Sequence, residues 1–134
     1  MKSQIAIEYI ILIAVFLLFL TPVWIYSFKY TNNMKLQLAT DYAQELVDTI
    51  GDLSDFVYSQ GSPAAMTFEG VVPDYVYSTS INGSLIVISL NMSSGLKDVY
   101  SMCNSNVTGH IPLQRGKYIF LIKADRGFVN VTVQ

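Results

Sequence analysis

Apolar positions follow three different rhythms along the chain, and each rhythm predicts a different element. From Tyr9 to Leu20 every residue is apolar or aromatic; the run opens at Ile5, is interrupted by Thr21-Pro22, and resumes through Val23-Trp24-Ile25-Tyr26 to Phe28. A helix over Gln4 to Phe28 would span about 37 Å, enough to cross a hydrocarbon layer of ~30 Å. Trp24 and Tyr26 then fall where an aromatic belt marks one membrane interface. Pro22 removes one backbone hydrogen bond and is the natural place for a kink.

Beyond the polar stretch Lys29 to Asn33 a helical period takes over. Ala39, Tyr42, Ala43, Leu46, Ile50, Leu53 and Val57 recur at three- and four-residue spacings, which predicts one apolar stripe. Asp41, Glu45, Asp48, Asp52 and Asp55 lie mostly off that stripe, facing solvent or another subunit. No Pro or Gly occurs between Val23 and Ile50, so a single helix from Ile5 to Tyr58 is the simplest reading, with Gly51 a weak point costing ~1 kcal/mol relative to Ala. Gln60-Gly61-Ser62-Pro63 ends it.

The third rhythm is alternation. Tyr75 to Ile81, a type I′ turn at Asn82-Gly83, and Ser84 to Leu90 predict a β-hairpin. Lys117 to Lys123, a turn at Asp125-Arg126-Gly127, and Phe128 to Val133 predict a second, with a shorter strand around Asn106 to Pro112. The fold class expected is therefore α+β: four to six antiparallel strands packed on the amphipathic half of a long helix. The chain divides into a short leader (1–3), an apolar helix (4–30), an amphipathic helix (31–60) and an antiparallel β head (61–134).

Composition narrows the function. The chain has 134 residues, 51% hydrophobic and 13% charged, with a formal net charge of −2, which points away from disorder and toward a membrane-linked or surface-assembled protein. The eight Lys and Arg are scattered, so nothing suggests nucleic acid. Cys103 is the lone cysteine and forms no internal disulfide; a zinc site would have to rest on Cys103, His110 and carboxylates, without ligand-pair spacing. Cys103 with His110 is the one imaginable nucleophile and base, but both fall in a Ser/Asn-rich stretch that reads as loop. No phosphate loop, paired-histidine motif or nucleophile elbow occurs, and the nine tyrosines sit where tyrosine packs on strands and helix faces. Neither an enzyme nor a cofactor is expected.

Glu8 is the exception inside the apolar run. An acidic residue at the bilayer centre costs about 2.5–3.5 kcal/mol on insertion scales, so its presence asks for a reason. A secretory signal would need a small-residue cleavage site after the apolar core, where the bulky Thr21 to Tyr26 stands. The opposite arrangement fits: Met1-Lys2-Ser3 is a tiny positive leader, and a cut between Ser3 and Gln4 leaves the apolar stretch on the mature chain. Gln4-Ile5-Ala6-Ile7-Glu8-Tyr9 then follows the cut.

These residues resemble the N-terminus of archaeal type IV pilins, whose so-called class III signal reads Gln-x-(Ser/Ala)-x-Glu-Tyr. The resemblance covers about the first thirty residues, and Ser3 stands where Gly is commoner. It implies cleavage by a prepilin peptidase, residence in the cytoplasmic membrane with the head outside, and lifting by an assembly ATPase and membrane platform into a helical homopolymer of identical subunits. It also implies that Glu8 neutralises the α-amine of Gln4 on a neighbouring subunit, and a lollipop architecture of long helix and β head. The bland alternative is that Glu8 lies at headgroup level in an ordinary anchor helix. Two further alternatives are a membrane-anchored ectodomain that never polymerises, such as an archaellum stator or surface-layer-binding component, and a minor pilin or pseudopilin.

Four Asn-x-Ser/Thr sequons occur, at Asn82, Asn91, Asn106 and Asn130, among seven asparagines in all. With Ser and Thr about a sixth of the residues, chance gives roughly one. N-glycans on an extracytoplasmic head are the functional expectation; the bland one is that Asn, Ser and Thr are common in strands and turns. Lys2 favours one side of the membrane while Lys29 and Lys35 flank the other end, so the positive-inside rule is nearly silent, and the sequons and leader decide for the head outside. The expected role is a cell-surface filament for adhesion.

Overall fold

The computed structural model describes residues 2–134, with side chains from Gln4 onward. Met1 and the side chains of Lys2 and Ser3, which carry the expected leader and the residue before its cut, lie outside the described residues. The fold is α+β: helix α1 (Lys2–Gln60), then strands β1 (Ala65–Val72), β2 (Val76–Met92), β3 (Gly95–Gly109), β4 (Gly116–Asp125) and β5 (Phe128–Val133). The chain forms two compact units, Met1–Leu36 and Gln37–Gln134.

The first unit is helical and has no core of its own. Every side chain from Gln4 to Lys35 is exposed. Local bonds trim the backbone: Thr21 Oγ1 donates to the Leu17 carbonyl and Thr31 Oγ1 to the Ser27 carbonyl, each at 2.9 Å. Pro22 sits inside the helix and has no N–H to return to the preceding turn.

The second unit is built on the last turns of α1. Ala39, Ala43, Leu46, Val47, Ile50 and Val57 are buried, the helical stripe expected from their spacing, although Tyr42 is exposed and Leu53 only partly covered. Their partners come from the inward positions of the sheet: Ile86, Ile88 and Leu90 on β2, Val99 and Val107 on β3, Phe120 and Ile122 on β4, Val129 and Val131 on β5. Phe120 stacks on Phe68 of β1 with ring centroids 5.2 Å apart. Two glycines let backbones approach. A methyl on Gly70 would meet Leu46 Cδ1 at 2.7 Å and Phe120 Cε2 at 2.8 Å, and one on Gly51 would meet Ser101 Oγ at 3.2 Å. Gly51 is therefore a packing contact with β3 as well as a weak helix former.

The sheet order is β1-β4-β5-β3-β2. All pairings are antiparallel except a short parallel one between β3 and β5, Val107↔Val129 to Gly109↔Val131. The β4–β5 hairpin is the one expected from Asp125-Arg126-Gly127. The others depart from expectation. β1 is not among the strands named from the alternation, because its inward positions include Gly70 and the pattern is blurred. β3 runs from Gly95 to Gly109 rather than from Asn106 to Pro112, and it contains Cys103, which is buried strand and not loop.

β2 holds the most informative case. A straight strand would separate Tyr75 from Asn91 by about 53 Å, yet the Asn91 N–H donates to the Tyr75 carbonyl at 2.8 Å. The chain therefore doubles back within β2, and Gly83, midway between, has φ +64°. The reversal expected at Asn82-Gly83 is present, but a type I′ turn needs positive φ at both central residues, and Tyr75 is the one non-glycine residue with positive φ among those described. The turn type is corrected. Opposite this reversal, the β2–β3 register slips, from Gly83↔Val107 to Leu85↔Met102.

Candidate assembly surface and sequon-bearing face

On the first unit, the candidate surface is the helix itself. An apolar window within Gln4–Gln60 is long and hydrophobic enough to cross a membrane by length and composition, and none of that window is buried. Glu8 is the only charged residue between Lys2 and Lys29. It is exposed, one helical turn from Gln4, so the two residues share a face. Among the described residues no hydrogen bond or ion pair reaches Glu8 within this single chain. Trp24 stacks on Phe28 and Tyr26 on Tyr30, at 6.4 and 6.5 Å between centroids. The two pairs are offset by two residues, about 200° around the axis, so aromatic rings cover opposite sides of the helix.

On the second unit, all four sequons are accessible. Asn82, Asn91, Asn106 and Asn130 are exposed, and so are their partners Ser84, Ser93, Thr108 and Thr132. For Asn106 and Asn130 extended chain explains this, because residues i and i+2 share a face; the intervening Val107 and Val131 point inward and are buried. Asn82 sits at the reversal within β2, Asn91 near its end, Asn106 on β3 and Asn130 on β5.

One polar cluster escaped the sequence reading. Asp55 was expected to face solvent or a neighbour; instead it turns toward the slipped stretch of β3. Its Oδ1 accepts from the Asn104 N–H at 2.9 Å, the Ser105 N–H at 2.8 Å and the Ser105 hydroxyl at 2.8 Å, while Oδ2 accepts from Asn104 Nδ2 at 3.1 Å. The irregularity frees those donors from the ladder, and the helix supplies their acceptor. Partial burial pushes the Asp55 carboxyl up, but the hydrogen bonds from Asn104 and Ser105 outweigh it and hold the group below its ordinary value. The available signal was Ser105, a polar residue at an inward position of a strand. The remaining buried polar side chain on the helix is Ser54, whose hydroxyl has no partner.

Cys103 and His110 lie in different settings. Cys103 is buried on β3, and burial, then the nearby Asp55 and Asp52 carboxylates, push its thiol above the ordinary value. His110 is exposed past the end of β3, and its backbone N–H donates to the Val131 carbonyl. No group of three His, Cys, Asp or Glu among the described residues could hold a metal ion. Set beside models of known families, curated proteins and solved structures, the chain has no match.

Proposed function

We propose that this chain is the structural subunit of an archaeal type IV pilus-like filament. A prepilin peptidase removes Met1–Ser3, the mature chain waits in the cytoplasmic membrane by its apolar helix with the head outside, and an ATPase-driven platform lifts it into a helical homopolymer at the cell surface. The filament serves adhesion, and its outward heads carry N-linked sugar. The observation that supports this best is the helix surface of the first unit: continuous apolar exposure interrupted by a single acid, one turn from the residue that becomes the new N-terminus. In a low-dielectric assembly a lone carboxylate is costly, and an ammonium from a neighbouring Gln4 offsets that cost only in one axial register.

The test is the native chain recovered from cells. Sequencing should begin at Gln4, and the material should sediment as filaments. Glu8→Gln should still enter the membrane but fail to build filaments of normal yield and length. Single molecules that retain Met1 would instead mean a non-polymerising anchored ectodomain.

A further inference from the structure

Three of the four sequons converge on one patch of the head. On β3 and β5 the sequons are side by side: Thr108 of one is the register partner of Asn130 of the other. Asn106, two residues before Thr108, therefore lies roughly 8 Å from Asn130 by strand geometry. The third comes from β2. Gly83 pairs with Val107, and the side-chain oxygen of Asn106 lies 3.6 Å from where a Gly83 Cβ would be, which sets Asn106 against the Asn82-Gly83 reversal. Asn91 is apart from these, with Leu96 as its register partner.

We infer that Asn82, Asn106 and Asn130 are modified together and that their oligosaccharides form one continuous sugar cover over this patch. The inference rests on the head lying outside the cytoplasm. A sequon can be used only if its asparagine amide and its hydroxyl are reachable: on extended β3 and β5 the two share a face at Asn106 and Asn130, and at the reversal Asn82 and Ser84 are both exposed. At each site, transfer joins asparagine Nδ2 to the anomeric carbon of an oligosaccharide and breaks the bond from that carbon to a phosphate oxygen of a lipid-phosphate carrier. The lipid phosphate leaves and one amide proton is lost. Neighbouring asparagines at this spacing are closer than a short oligosaccharide is long, so the attached chains share one volume of solvent. That volume is closed to protein, and subunit packing must use other surfaces of the head.

The cover has a protein reporter. Lys123 is exposed on β4 as the register partner of Asn130, whereas Lys97 is exposed toward the start of β3, opposite Leu90. The experiment takes the full chain from its native cells, extracted from membrane or filaments alike, and maps glycopeptides by mass. Asn82, Asn106 and Asn130 should each carry oligosaccharide; sugar on two or fewer of them overturns the inference. Amine labelling then reads the shared cover. Replacing all three by Gln should speed labelling of Lys123 several-fold and leave Lys97 unchanged; equal Lys123 rates overturn the single cover. Filaments built from unmodified chains would overturn this inference alone, and modified chains that never polymerise would overturn the filament alone.

Discussion

Removing the Asp55 carboxylate should loosen the head in a way that can be worked out donor by donor. Asp55 accepts from two donors of Asn104 and two of Ser105. Asn104 is exposed, so water replaces the lost acceptor there at little net cost. Ser105 is buried, so in Asp55→Ala its N–H and hydroxyl lose their partner out of reach of water. Each such orphan costs about 1–3 kcal/mol, and the hydroxyl can rotate, so the total should be about 2–4 kcal/mol. Asp55→Asn keeps one carbonyl oxygen but loses the charge and turns an amide toward donors, so about 1–2 kcal/mol is expected. The assay is urea unfolding of the full chain in nonionic micelles, followed by near-ultraviolet circular dichroism. Acid gives an independent check. A carboxyl held below its ordinary 3.8 when folded stabilises the head above that value, and the contribution is lost as pH falls through the lower folded value. The gap between wild type and Asp55→Ala should therefore be constant from about pH 7 to 5 and narrow in stronger acid. An Ala variant costing under ~1 kcal/mol, or a gap indifferent to acid, would refute the role given to this carboxylate.

Other substitutions probe the same unit. Ser54→Ala removes a buried hydroxyl that has no partner and should leave stability unchanged or raise it by up to ~1 kcal/mol in the same urea titration. Gly70→Ala would press a methyl against Leu46 and Phe120 at under 3 Å; overpacking of this kind should cost about 1–3 kcal/mol, read as a lower urea midpoint. The Cys103 thiol, buried and raised in pKa, should react with iodoacetamide at mildly alkaline pH at least roughly tenfold more slowly in the folded chain than in urea.

Much of the fold was legible because its signals are periodic. The stripe from Ala39 to Val57 and the β4–β5 hairpin follow from spacing alone, and both are found where spacing puts them. β1 was missed because Gly70 occupies an inward position where an apolar side chain would have completed the alternation; the room is taken by Leu46 and Phe120, and only the packed structure reveals that. The reversal within β2 was legible from Asn82-Gly83, but its turn type was not, since Asn82 keeps negative φ and the register slip beside it is a tertiary event. Asp55 shows the same limit. An acid off the apolar stripe reads as solvated, and only the slip in β3, fifty residues further on, brings donors to it. Of the candidate sites, the sequons were legible as pattern; their gathering on β2, β3 and β5 depends on the parallel β3–β5 pairing, which no local signal announces.

The first unit poses a different energetic question, because its surface has no partner within the unit. Lipid tails are about as apolar as Leu, so in the filament proposed above exchanging lipid for neighbouring helices would bring little hydrophobic gain, and packing and polar contacts would decide between membrane and filament. Along Ile5 to Phe28 the polar groups able to decide are few. Thr21 is satisfied by the Leu17 carbonyl, and Ser27 and Pro22 offer no charge. Glu8 remains. A carboxylate at the centre of a span is disfavoured in lipid by about 2.5–3.5 kcal/mol on insertion scales, and Glu8, one turn inside the N-terminal end, bears a part of that cost. Relief by a neighbour's ammonium would favour the filament at every subunit, and the gain compounds along a polymer. Glu8→Gln should therefore shift the chain toward the membrane fraction without altering insertion, whereas a substitution elsewhere on the same face, such as Leu12→Ile, should leave the partition unchanged. If both variants polymerise alike, apolar packing alone drives the assembly and the acid is incidental.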